Sequence, residues 1–401
     1  MGAGGREHAL AWKLAQSPLL HDLHAAPGNP GIAGLGTCHP LRSDDADALL
    51  DLCRQLSVDL VVVGPEAPLV AGLADELRHA GVAVFGPSAA AARIEGSKSF
   101  AKEVLHAAGV PTAEELDEPR APCVVKADGF AAGKGVFVCE SEAELEAALP
   151  RAAALGGGVV VEELLQGEEV SLFALCDGTD ALPLAPAQDF KRLLDGDRGP
   201  NTGGMGSYSP VPWLDESRTE ELVESIHRPV LRELSARGTP FAGLLYAGLM
   251  LTDDGPRVLE FNCRFGDPET QAILPRLEGD LLEALAAVAG GSLAGIGLGA
   301  GRTTAVTVVV AAAGYPEAPE TGLEIAGLEE AESEGALVFH AGTALRAGSL
   351  VTAGGRVLNV TAVGDSLPEA RERAYRAVER VNLPGAQYRR DVALGAVHAN
   401  A

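Results

Sequence analysis

Aromatic residues and long apolar runs are both scarce in this chain of 401 residues. Phe, Trp and Tyr make up only 4% of the sequence, whereas Gly alone contributes 49 residues, so we expect a core of small aliphatic side chains. No stretch approaches the ~18 uninterrupted apolar residues of a membrane-spanning helix, and the N-terminus has no charged region followed by an apolar one. These absences predict a cytosolic protein that does not act at a membrane.

Cysteine is also rare and widely spaced. The six cysteines, at positions 38, 53, 123, 139, 176 and 263, include no Cys-x-x-Cys motif and lie near no pair of histidines. A zinc site or a disulfide framework would need closer spacing. The cysteines are therefore predicted to be reduced and mostly buried, as in a cytoplasmic protein.

Positive charge is in short supply. The 31 Lys and Arg residues face 56 Asp and Glu, which gives a formal net charge of −25. This balance argues against nucleic acid or an anionic membrane as a partner, because either requires a basic surface. A site for a phosphate-rich ligand would have to gather its cations locally. The remaining composition, 47% hydrophobic and 22% charged, is typical of a folded soluble protein.

The chain divides into three predicted domains of α/β and α+β type. Strands alternating with helices over residues 1–88 predict a parallel α/β domain, whose ligands would bind beyond the carboxyl ends of its strands. Residues 89–299 mix helices, strands and glycine-rich loops, and include a small α+β unit at about 113–166. After the glycine-rich stretch "GGSLAGIGLGAGR", residues 300–401 predict a C-terminal α+β domain.

The stretch "KADGFAAGKGV" has the composition of a phosphate-binding hairpin. Its glycines let backbone N–H groups turn toward an anion, and Lys126 and Lys134 supply positive charge. It is not a Walker A loop, because the spacing from Gly129 to Lys134 is one residue short and Gly135 replaces the hydroxyl residue. A flexible hairpin with incidental lysines explains this motif equally well when it is considered alone.

Two other segments carry weaker signals for nucleotide or phosphate binding. The opening "GAGGRE" departs from the dinucleotide fingerprint at Glu7, although a helix N-terminus with Arg6 can bind one phosphate. A plain helix-starting turn is an equally good interpretation. In "VVVEELLQGEEVS", the end of a strand could pair with adenine and Glu169 could bind a ribose, but acidic residues after a strand are common.

The stretch "VLEFNCRFGDPET" predicts a metal site. On a strand, Glu260 and Asn262 project their side-chain oxygens to one face, and Arg264 continues on that face. Mg²⁺ prefers hard oxygen ligands and takes only one or two of them from protein when phosphates supply others. A guanidinium beside it could hold a carboxylate by two hydrogen bonds. Structural acidic residues would not be expected to align in this way.

The segment from Asp189 to Pro210 is predicted to be a long polar loop that closes over a substrate. Loops of this length are uncommon unless they are functional or disordered. A disordered linker is the alternative, but Met205 and Tyr208 favour a packed loop.

Taken together, these motifs resemble those of one family. "GGREHALAWK", "APGN", "VGPEAPL", "EGSKSF", "KADGFAAGKGV", "GPNTGGMGSYSP", "LYAGLM", "EFNCRFGDPETQ" and "FHAGT" are similar to the phosphoribosylamine–glycine ligases (glycinamide ribonucleotide synthetases) of the ATP-grasp superfamily. They extend over nearly the whole chain and are specific in combination. The resemblance implies an ATP-grasp fold with a Rossmann-like N-terminal domain and a C-terminal α+β domain.

The resemblance also implies a reaction in de novo purine biosynthesis. ATP would phosphorylate glycine to glycyl phosphate, and 5-phosphoribosylamine would displace phosphate to give glycinamide ribonucleotide. The implied cofactors are ATP and Mg²⁺ or Mn²⁺, and the expected state is a monomer. No nucleophilic side chain is needed.

Site residues follow from the same resemblance. Contacts to ATP are expected from Lys98, Lys126, Gly133, Lys134, Gly135, Glu162, Leu165 and Glu169, with the backbones of Glu162 and Leu165 at adenine and Glu169 at the ribose. The metal is expected on Glu260 and Asn262. Arg264, Lys134 and Asp267 are the expected catalytic residues. Glycine and the amine would meet Asp189, Lys191, Asn201, Thr202, Gly203, Gly204, Met205, Arg264 and Asp267, and the phosphoribosyl group would meet Gly4, Gly5, Arg6, Gly28, Asn29 and Glu66.

The chain differs from the family pattern in two ways. Family members begin with an apolar strand before the first glycine loop, whereas this chain starts inside that loop, so the expectation is either that the true start lies upstream or that the first sheet lacks a strand. The segments "AEELDEPRAPCVV" and that before Val159 are shorter than usual, so the lid is expected to cover ATP less completely. Two alternatives remain: another ATP-grasp ligase or carboxylase, and a nucleotide-binding regulatory or scaffold protein that has lost turnover.

Overall fold

The structure is a computed structural model that describes residues 1–129 and 135–399. Its N-terminal part alternates helices with short parallel strands, as predicted. The elements are α1 (Gly5–Leu14), β1 (His24–Ala25), β2 (Thr37–Cys38), α2 (Ala46–Leu56), β3 (Leu60–Val62), α3 (Glu66–Ala71), α4 (Leu73–His79), β4 (Ala83–Phe85) and α5 (Ala89–Gly96), with a 3₁₀ turn at Ile32–Gly34.

The first two residues connect the strand pairs of this part. β1 pairs with β2 and β3 pairs with β4, both in parallel. Between the pairs, the Met1 nitrogen donates to the Val62 carbonyl at 2.9 Å, and the Gly2 nitrogen donates to the Ala26 carbonyl at 2.8 Å. Met1 and Gly2 therefore lie between the two strand pairs. Among the described residues, no strand of greater length lies there.

The middle of the chain builds two antiparallel sheets. Its elements are α6 (Lys98–Ala108), β5 (Cys123–Ala127), β6 (Val136–Cys139), α7 (Glu142–Ala153), β7 (Val159–Glu163), β8 (Glu168–Asp177), β9 (Ala181–Pro183), β10 (Gln188–Asp189), β11 (Arg192–Leu194), β12 (Arg198–Asn201), β13 (Gly206–Ser209), α8 (Glu216–Leu222), α9 (Arg228–Ala236), β14 (Ala242–Thr252), β15 (Gly255–Asn262), α10 (Glu269–Ile273), β16 (Leu277–Glu278) and α11 (Leu281–Ala289). A π-helical turn at Val223–His227 and a 3₁₀ turn at Leu274–Arg276 complete it. The small sheet has the order β6-β5-β7 and the larger one β15-β14-β8-β9.

The C-terminal part adds β17 (Gly299–Ala300), β18 (Thr304–Ala311), α12 (Leu328–Ser333), β19 (Ala336–His340), β20 (Thr343–Arg346), β21 (Ser349–Thr352), β22 (Arg356–Gly364), α13 (Leu367–Val378) and α14 (Leu394–Ala399). Its sheet has the order β10-β13-β18-β22-β19, so two strands from the middle of the chain join it. A buried cluster of Val, Leu and Ala side chains packs α13 against this sheet.

The prediction of a single long loop from Asp189 to Pro210 is wrong. β11 and β12 form an antiparallel ribbon within it, and β13 pairs with β18 over four residues. Met205 and Tyr208 are buried, as their apolar character suggested. The segment is thus held between the middle and C-terminal parts by backbone hydrogen bonds, which its many glycines concealed in the sequence.

Local sequence signals account for most helix ends. The side chains of Asp45, Ser88 and Ser97 cap α2, α5 and α6 by accepting backbone hydrogen bonds, and Gly109 ends α6 at a φ of 68°. Gly72, at a φ of 97°, ends α3 and separates it from α4.

Two findings concern the state of the cysteines and the question of a membrane-spanning helix. All six cysteines are unpaired, and five of them are buried, as predicted. Among the described helices, none is both long enough and apolar enough to cross a membrane.

Candidate active site

A deep cleft of about 1280 Å³ brings together most of the predicted site residues. It is bordered by the small sheet, the larger sheet and the ribbon of β11 and β12. The predicted residues that line it are Arg6, Glu66, Lys98, Lys126, Gly135, Glu162, Leu165, Glu169, Asp189, Lys191, Asn201, Thr202, Gly203, Glu260, Asn262, Arg264 and Asp267. Residues far apart in sequence therefore share one cavity.

A second cavity of about 430 Å³ contains three further predicted residues, Gly4, Gly28 and Asn29. It shares Asp267 and Arg356 with the cleft, so the two cavities adjoin at these side chains. The structure does not place Gly5, Gly204 or Met205 on either cavity. Gly133 and Lys134 lie outside the described residues.

Gly5, Gly204 and Met205 pack closely against neighbouring residues and do not line a cavity. A Cβ atom at Gly5 would lie 2.1 Å from Nδ2 of Asn359, and one at Gly204 would lie 2.5 Å from Cδ of Pro268. Met205 is fully buried.

Two lysines reach the cleft from different elements. Lys98, at the start of α6, lies 3.2 Å from Oε2 of Glu260. Lys126, on β5, lies 2.5 Å from Oε2 of Glu162 and donates to the Leu259 carbonyl at 2.9 Å. An irregularity in the pairing of β14 and β15 leaves Leu259 without a partner in register, and its carbonyl accepts this bond.

Glu162 is the anionic centre of a buried triad. Its side chain is only 3% exposed and contacts Lys126 and, at 3.0 Å, Lys102 of α6. Its position in β7 pairs it with Val124 on one side and with Glu115 on the other. The side chain thus positions Lys126, a role that the sequence did not indicate.

Glu260 and Asn262 face the same cleft, as predicted for alternate residues of a strand. They lie opposite Gly248 and Tyr246 in the pairing of β15 with β14. Burial alone would raise the pKa of Glu260, but Lys98, Lys191 and Lys126 lower it to about 2. Its carboxylate is therefore ionised throughout the physiological range.

The donor set fits a divalent cation that is completed by other ligands. No cluster of three or more His, Cys, Asp or Glu side chains arranged for a metal occurs among the described residues. One carboxylate and one amide oxygen beside a lysine-lined cleft suit a hard cation that takes its remaining ligands from phosphates and water.

Arg264 is held by an acidic network at the end of β15. Its Nε lies 3.1 Å from Oε2 of Glu66, its Nη2 lies 3.1 Å from Oε1 of Glu95, and Nη2 also donates to Oδ1 of Asn262 at 3.2 Å. Burial would lower the pKa of the guanidinium, but Glu95 and Glu66 raise it above its ordinary value. The guanidinium therefore stays charged, and its orientation is fixed by Glu66 of α3 and Glu95 of α5.

A second charged cluster lines the opposite side of the cleft. Lys191 lies 2.5 Å from Oε1 of Glu169 and 2.8 Å from Oδ1 of Asp189. Burial opposes the charge on Lys191, yet Asp189 and Glu169 raise its pKa well above the ordinary value. Burial raises the pKa of Glu169.

Glu95, Glu269 and Arg356 are among the site residues that were not assigned from the sequence. Glu269 is 3% exposed, and burial together with Asp189 raises its pKa to about 7. Arg356 comes from β22 and pairs with Asp267 at 3.2 Å. Glu269 lies in the stretch "VLEFNCRFGDPET", but no local spacing links Glu95 to Arg264 or Arg356 to Asp267.

The arrangement of a small antiparallel sheet facing a larger one across a cleft defines an ATP-grasp protein. The biotin carboxylase domain of the 2-oxoglutarate carboxylase from Hydrogenobacter thermophilus, at 16% identity, superposes with a TM-score of 0.68 over 96% of this chain and 90% of that one. At that identity the likeness concerns the fold alone, and the predicted fold class is confirmed.

Three family models then match in succession along the chain. They are the N domain (residues 1–95), the ATP-grasp (A) domain (96–270) and the C domain (305–395) of phosphoribosylglycinamide synthetase. The chain belongs to the phosphoribosylglycinamide synthetase family, a family of ATP-grasp carboxylate–amine ligases. The family predicted from the motifs is thereby confirmed, and the divisions at 88/89 and 299/300 stay predictions.

Relatives match over the full length. The phosphoribosylamine–glycine ligase of Streptomyces coelicolor is 53% identical over 415 residues, which cover 100% of this chain and 99% of that protein. The enzyme of the same name from Mesorhizobium japonicum is 51% identical over 99% of this chain and 97% of its own length. The crystal structure of the Thermotoga maritima phosphoribosylamine–glycine ligase, 36% identical, superposes with a TM-score of 0.84 over 98% of both chains.

Proposed function

We propose that this protein joins glycine to 5-phosphoribosylamine, using ATP, in de novo purine biosynthesis. A glycine carboxylate oxygen attacks the γ-phosphorus of ATP and ADP departs, which gives glycyl phosphate. The amine then attacks the acyl carbon, a C–N bond forms, phosphate leaves, and the nitrogen loses a proton. The observation that carries the proposal is one cleft in which Lys98, Lys126, Glu260, Asn262 and Arg264 converge, in a member of this family.

ATP would occupy the side of the cleft next to the small sheet. Lys98 and Lys126, with Gly133 to Gly135, would neutralise its phosphates, while the backbones of Glu162 and Leu165 would bind adenine and Glu169 the ribose. Because the chain carries a net charge of −25, these locally gathered cations are needed to hold a polyanion. The 3.2 Å pair of Lys98 with Glu260 holds the two side chains beside each other before ATP arrives.

Glu260 and Asn262 would hold the divalent cation, which we propose to be Mg²⁺ or Mn²⁺. When bound, such an ion supplies positive charge to the phosphates and orients them. The two side chains present their oxygens from one face of β15, so their spacing does not depend on a mobile loop.

Arg264 would anchor the glycine carboxylate and then the acyl phosphate. Glu66 and Glu95 hold its guanidinium from two sides, so it is oriented before the substrates bind. Preorganised charge of this kind stabilises a developing anion without reorganisation during the reaction. Asp189, Lys191 and Asp267 would complete the pocket for glycine and the amine.

One chain supplies all of these groups, so we propose that the protein acts as a monomer in the cytoplasm. Sedimentation or light scattering of the purified chain at its assay concentration tests the monomer: a mass near twice 41.1 kDa would contradict it.

The function is tested by ADP release from the purified chain with ATP, Mg²⁺, glycine and freshly made phosphoribosylamine, each omitted in turn. ADP should form only when both glycine and the amine are present. Glu260→Gln should lower the rate at least ~100-fold because the cation loses its charged ligand. The exposed Glu379→Gln is the matched control and should keep the wild-type rate.

A nucleotide-binding protein without turnover would give a different result. ATP with Mg²⁺ would raise its melting temperature, as any ligand of the native state does, but no ADP would form with both substrates present. That outcome would overturn the proposed ligase. ADP release that is independent of the amine would instead indicate a different acceptor.

A further inference from the structure

Both hydrogen-bonding groups of the Gly203 backbone are held by residues from the C-terminal part of the chain. The Gly203 nitrogen donates to the hydroxyl of Tyr315 at 3.1 Å, and the Gly203 carbonyl accepts from Nη1 of Arg356. Within the described part of the chain, neither group has another partner. Tyr315 and Arg356 lie 112 and 153 residues further along the sequence, so only tertiary packing brings them to Gly203.

Gly203 belongs to a loop between β12 and β13 that faces the cleft, and we call residues 202–205 the Gly203 loop. Thr202 and Gly203 line the cleft together with Asn201, the last residue of β12. Tyr315 and Arg356 line the same cleft. Because each peptide unit is planar, one hydrogen bond on either side of Gly203 fixes the planes of both adjoining units.

The position of Gly203 is passed on to Lys191 through Thr202. The nitrogen and Oγ1 of Thr202 both donate to the Lys191 carbonyl, each at 2.8 Å, and the Gly204 nitrogen donates to Oγ1 of Thr202 at 3.0 Å. These bonds lie within the segment itself. A contact that holds Gly203 therefore also steadies the backbone that carries Lys191 into the cleft.

The ring of Tyr315 is held in place without its hydroxyl. A Cβ atom at Gly355 would lie 2.4 Å from Cδ2 of the ring, so the ring packs directly against the Gly355 backbone. The Tyr315 nitrogen donates to the Ala312 carbonyl at 3.2 Å, and its carbonyl accepts from Nε2 of Gln387 at 3.3 Å. Among the described residues, the Gly203 nitrogen is the hydroxyl's one hydrogen-bond partner. Loss of the hydroxyl would thus remove the loop contact and leave the ring in place.

The far end of the same segment has separate contacts to the C-terminal part. At the tip of the ribbon, the Gly196 nitrogen donates to Oδ2 of Asp391 at 2.8 Å, and the Arg390 nitrogen donates to Oδ1 of Asp195 at 2.7 Å. These bonds do not involve the Gly203 loop. A change at Tyr315 should therefore displace the loop locally without detaching the ribbon.

We propose that Tyr315 is a positioning residue for the ligase reaction, because its hydroxyl fixes the Gly203 loop against the cleft. The inference rests on the proposed function and deepens it, since this loop is expected to meet glycine and the amine. The effect of Tyr315 should then fall on these two substrates. ATP should be spared, because its phosphates would lie beside Lys98 and Lys126.

The test compares two variants that each remove one hydroxyl. Tyr315→Phe removes the partner of the Gly203 nitrogen and keeps the ring. Tyr388→Phe is the matched control: Tyr388 belongs to the same part of the chain, lines neither cavity, and its hydroxyl has no hydrogen bond to any described residue.

Hydrogen exchange of the protein without substrates measures the loop contact itself. Peptides that cover residues 202–205 should exchange about 3- to 10-fold faster in Tyr315→Phe than in the wild type, as expected for the loss of one neutral hydrogen bond. Tyr388→Phe should exchange in this segment as the wild type does.

The kinetic constants measure the consequence for the reaction. In Tyr315→Phe the KM for glycine and the KM for the amine should each rise about 3- to 10-fold. The KM for ATP should stay within about twofold of the wild-type value, and the melting temperature should change little. Tyr388→Phe should match the wild type in every constant.

Three results would overturn the positioning role in an active enzyme. They are equal exchange of residues 202–205 in the two variants, a KM for ATP that rises as much as the KM for glycine, and failure of Tyr315→Phe to fold, which would make its hydroxyl structural. An inactive wild type would instead refute the proposed ligase, and the positioning role with it.

Discussion

At the scale of single residues, the buried charges explain how an acidic protein can hold cations in place. Glu162 joins Lys102 of α6 to Lys126 of β5, and all three side chains are almost fully buried. A buried ion pair adds little net stability, but removal of one member leaves uncompensated charge. The triad therefore positions Lys126 at the cleft and makes Glu162 indispensable to the fold around it.

We predict that Glu162→Gln lowers the free energy of unfolding by about 3 kcal/mol or more, because two buried ammonium groups then face a neutral amide. Thermal melting at pH 7.5 measures the loss. The exposed Glu146→Gln on α7 is the control and should change the midpoint little. Equal midpoints for the two variants would show that the triad does not constrain the fold.

At the scale of elements, short capping signals decide where the helices lie. Ser97 and Gly109 bound α6 and thereby present Lys98 at its first turn and Lys102 one turn later. Gly109 has a φ of 68°, and a Cβ there would meet nothing within 4 Å. Any cost of a side chain at this position is then backbone strain and not a clash.

Gly109→Ala should therefore lower the stability by about 1 kcal/mol, and Gly109→Asn by less, since Asn tolerates the left-handed region. Differential scanning calorimetry should show a fall of roughly 2–4 °C for the alanine variant. Gly34→Ala, which has the same open surroundings but no positive φ, should be neutral or slightly stabilising. A loss as large at Gly34 would rule out backbone strain as the cause.

At the scale of the whole molecule, histidines and a loop asparagine connect the first and last parts of the chain. The His340 nitrogen donates to Nδ1 of His8 at 2.8 Å, and Nδ2 of Asn29 donates to the His340 carbonyl at 2.9 Å. Burial, reinforced by His340, lowers the pKa of His8 from 6.5 to about 3. The second cavity forms beside these contacts, so its shape depends on neutral His8.

The pH dependence of stability follows from this pKa. Between pH 6.5 and 3 the unfolded chain binds a proton at His8 that the native protein does not, so stability is full above 6.5 and falls as the pH is lowered. His8→Asn keeps an acceptor for the His340 nitrogen but cannot titrate. Its melting temperature should therefore fall less steeply from pH 6.5 to 4 than that of the wild type.

The slope is the measurement that matters for His8, because lost packing against Phe339 would lower the midpoint of the variant at every pH. The exposed His21→Asn should reproduce the wild-type slope. Identical slopes for His8→Asn and the wild type would place the acid sensitivity elsewhere, for example at His227, whose pKa burial lowers to about 4.

Local chemistry was enough to predict the family, the fold class and much of the cleft. Glycine loops, capping residues and the alternation of Glu260 and Asn262 are short-range patterns. Each is determined by residues only a few positions apart in the sequence. The partners of Arg264 and Asp267 were not predictable in this way. Glu95 and Arg356 reach them only because separate sheets and helices pack together, and β13, in the segment between Asp189 and Pro210, pairs with β18 about 100 residues further along the chain. Side-chain pairing and strand pairing over long sequence distances depend on the packed tertiary structure, and no local pattern encodes them.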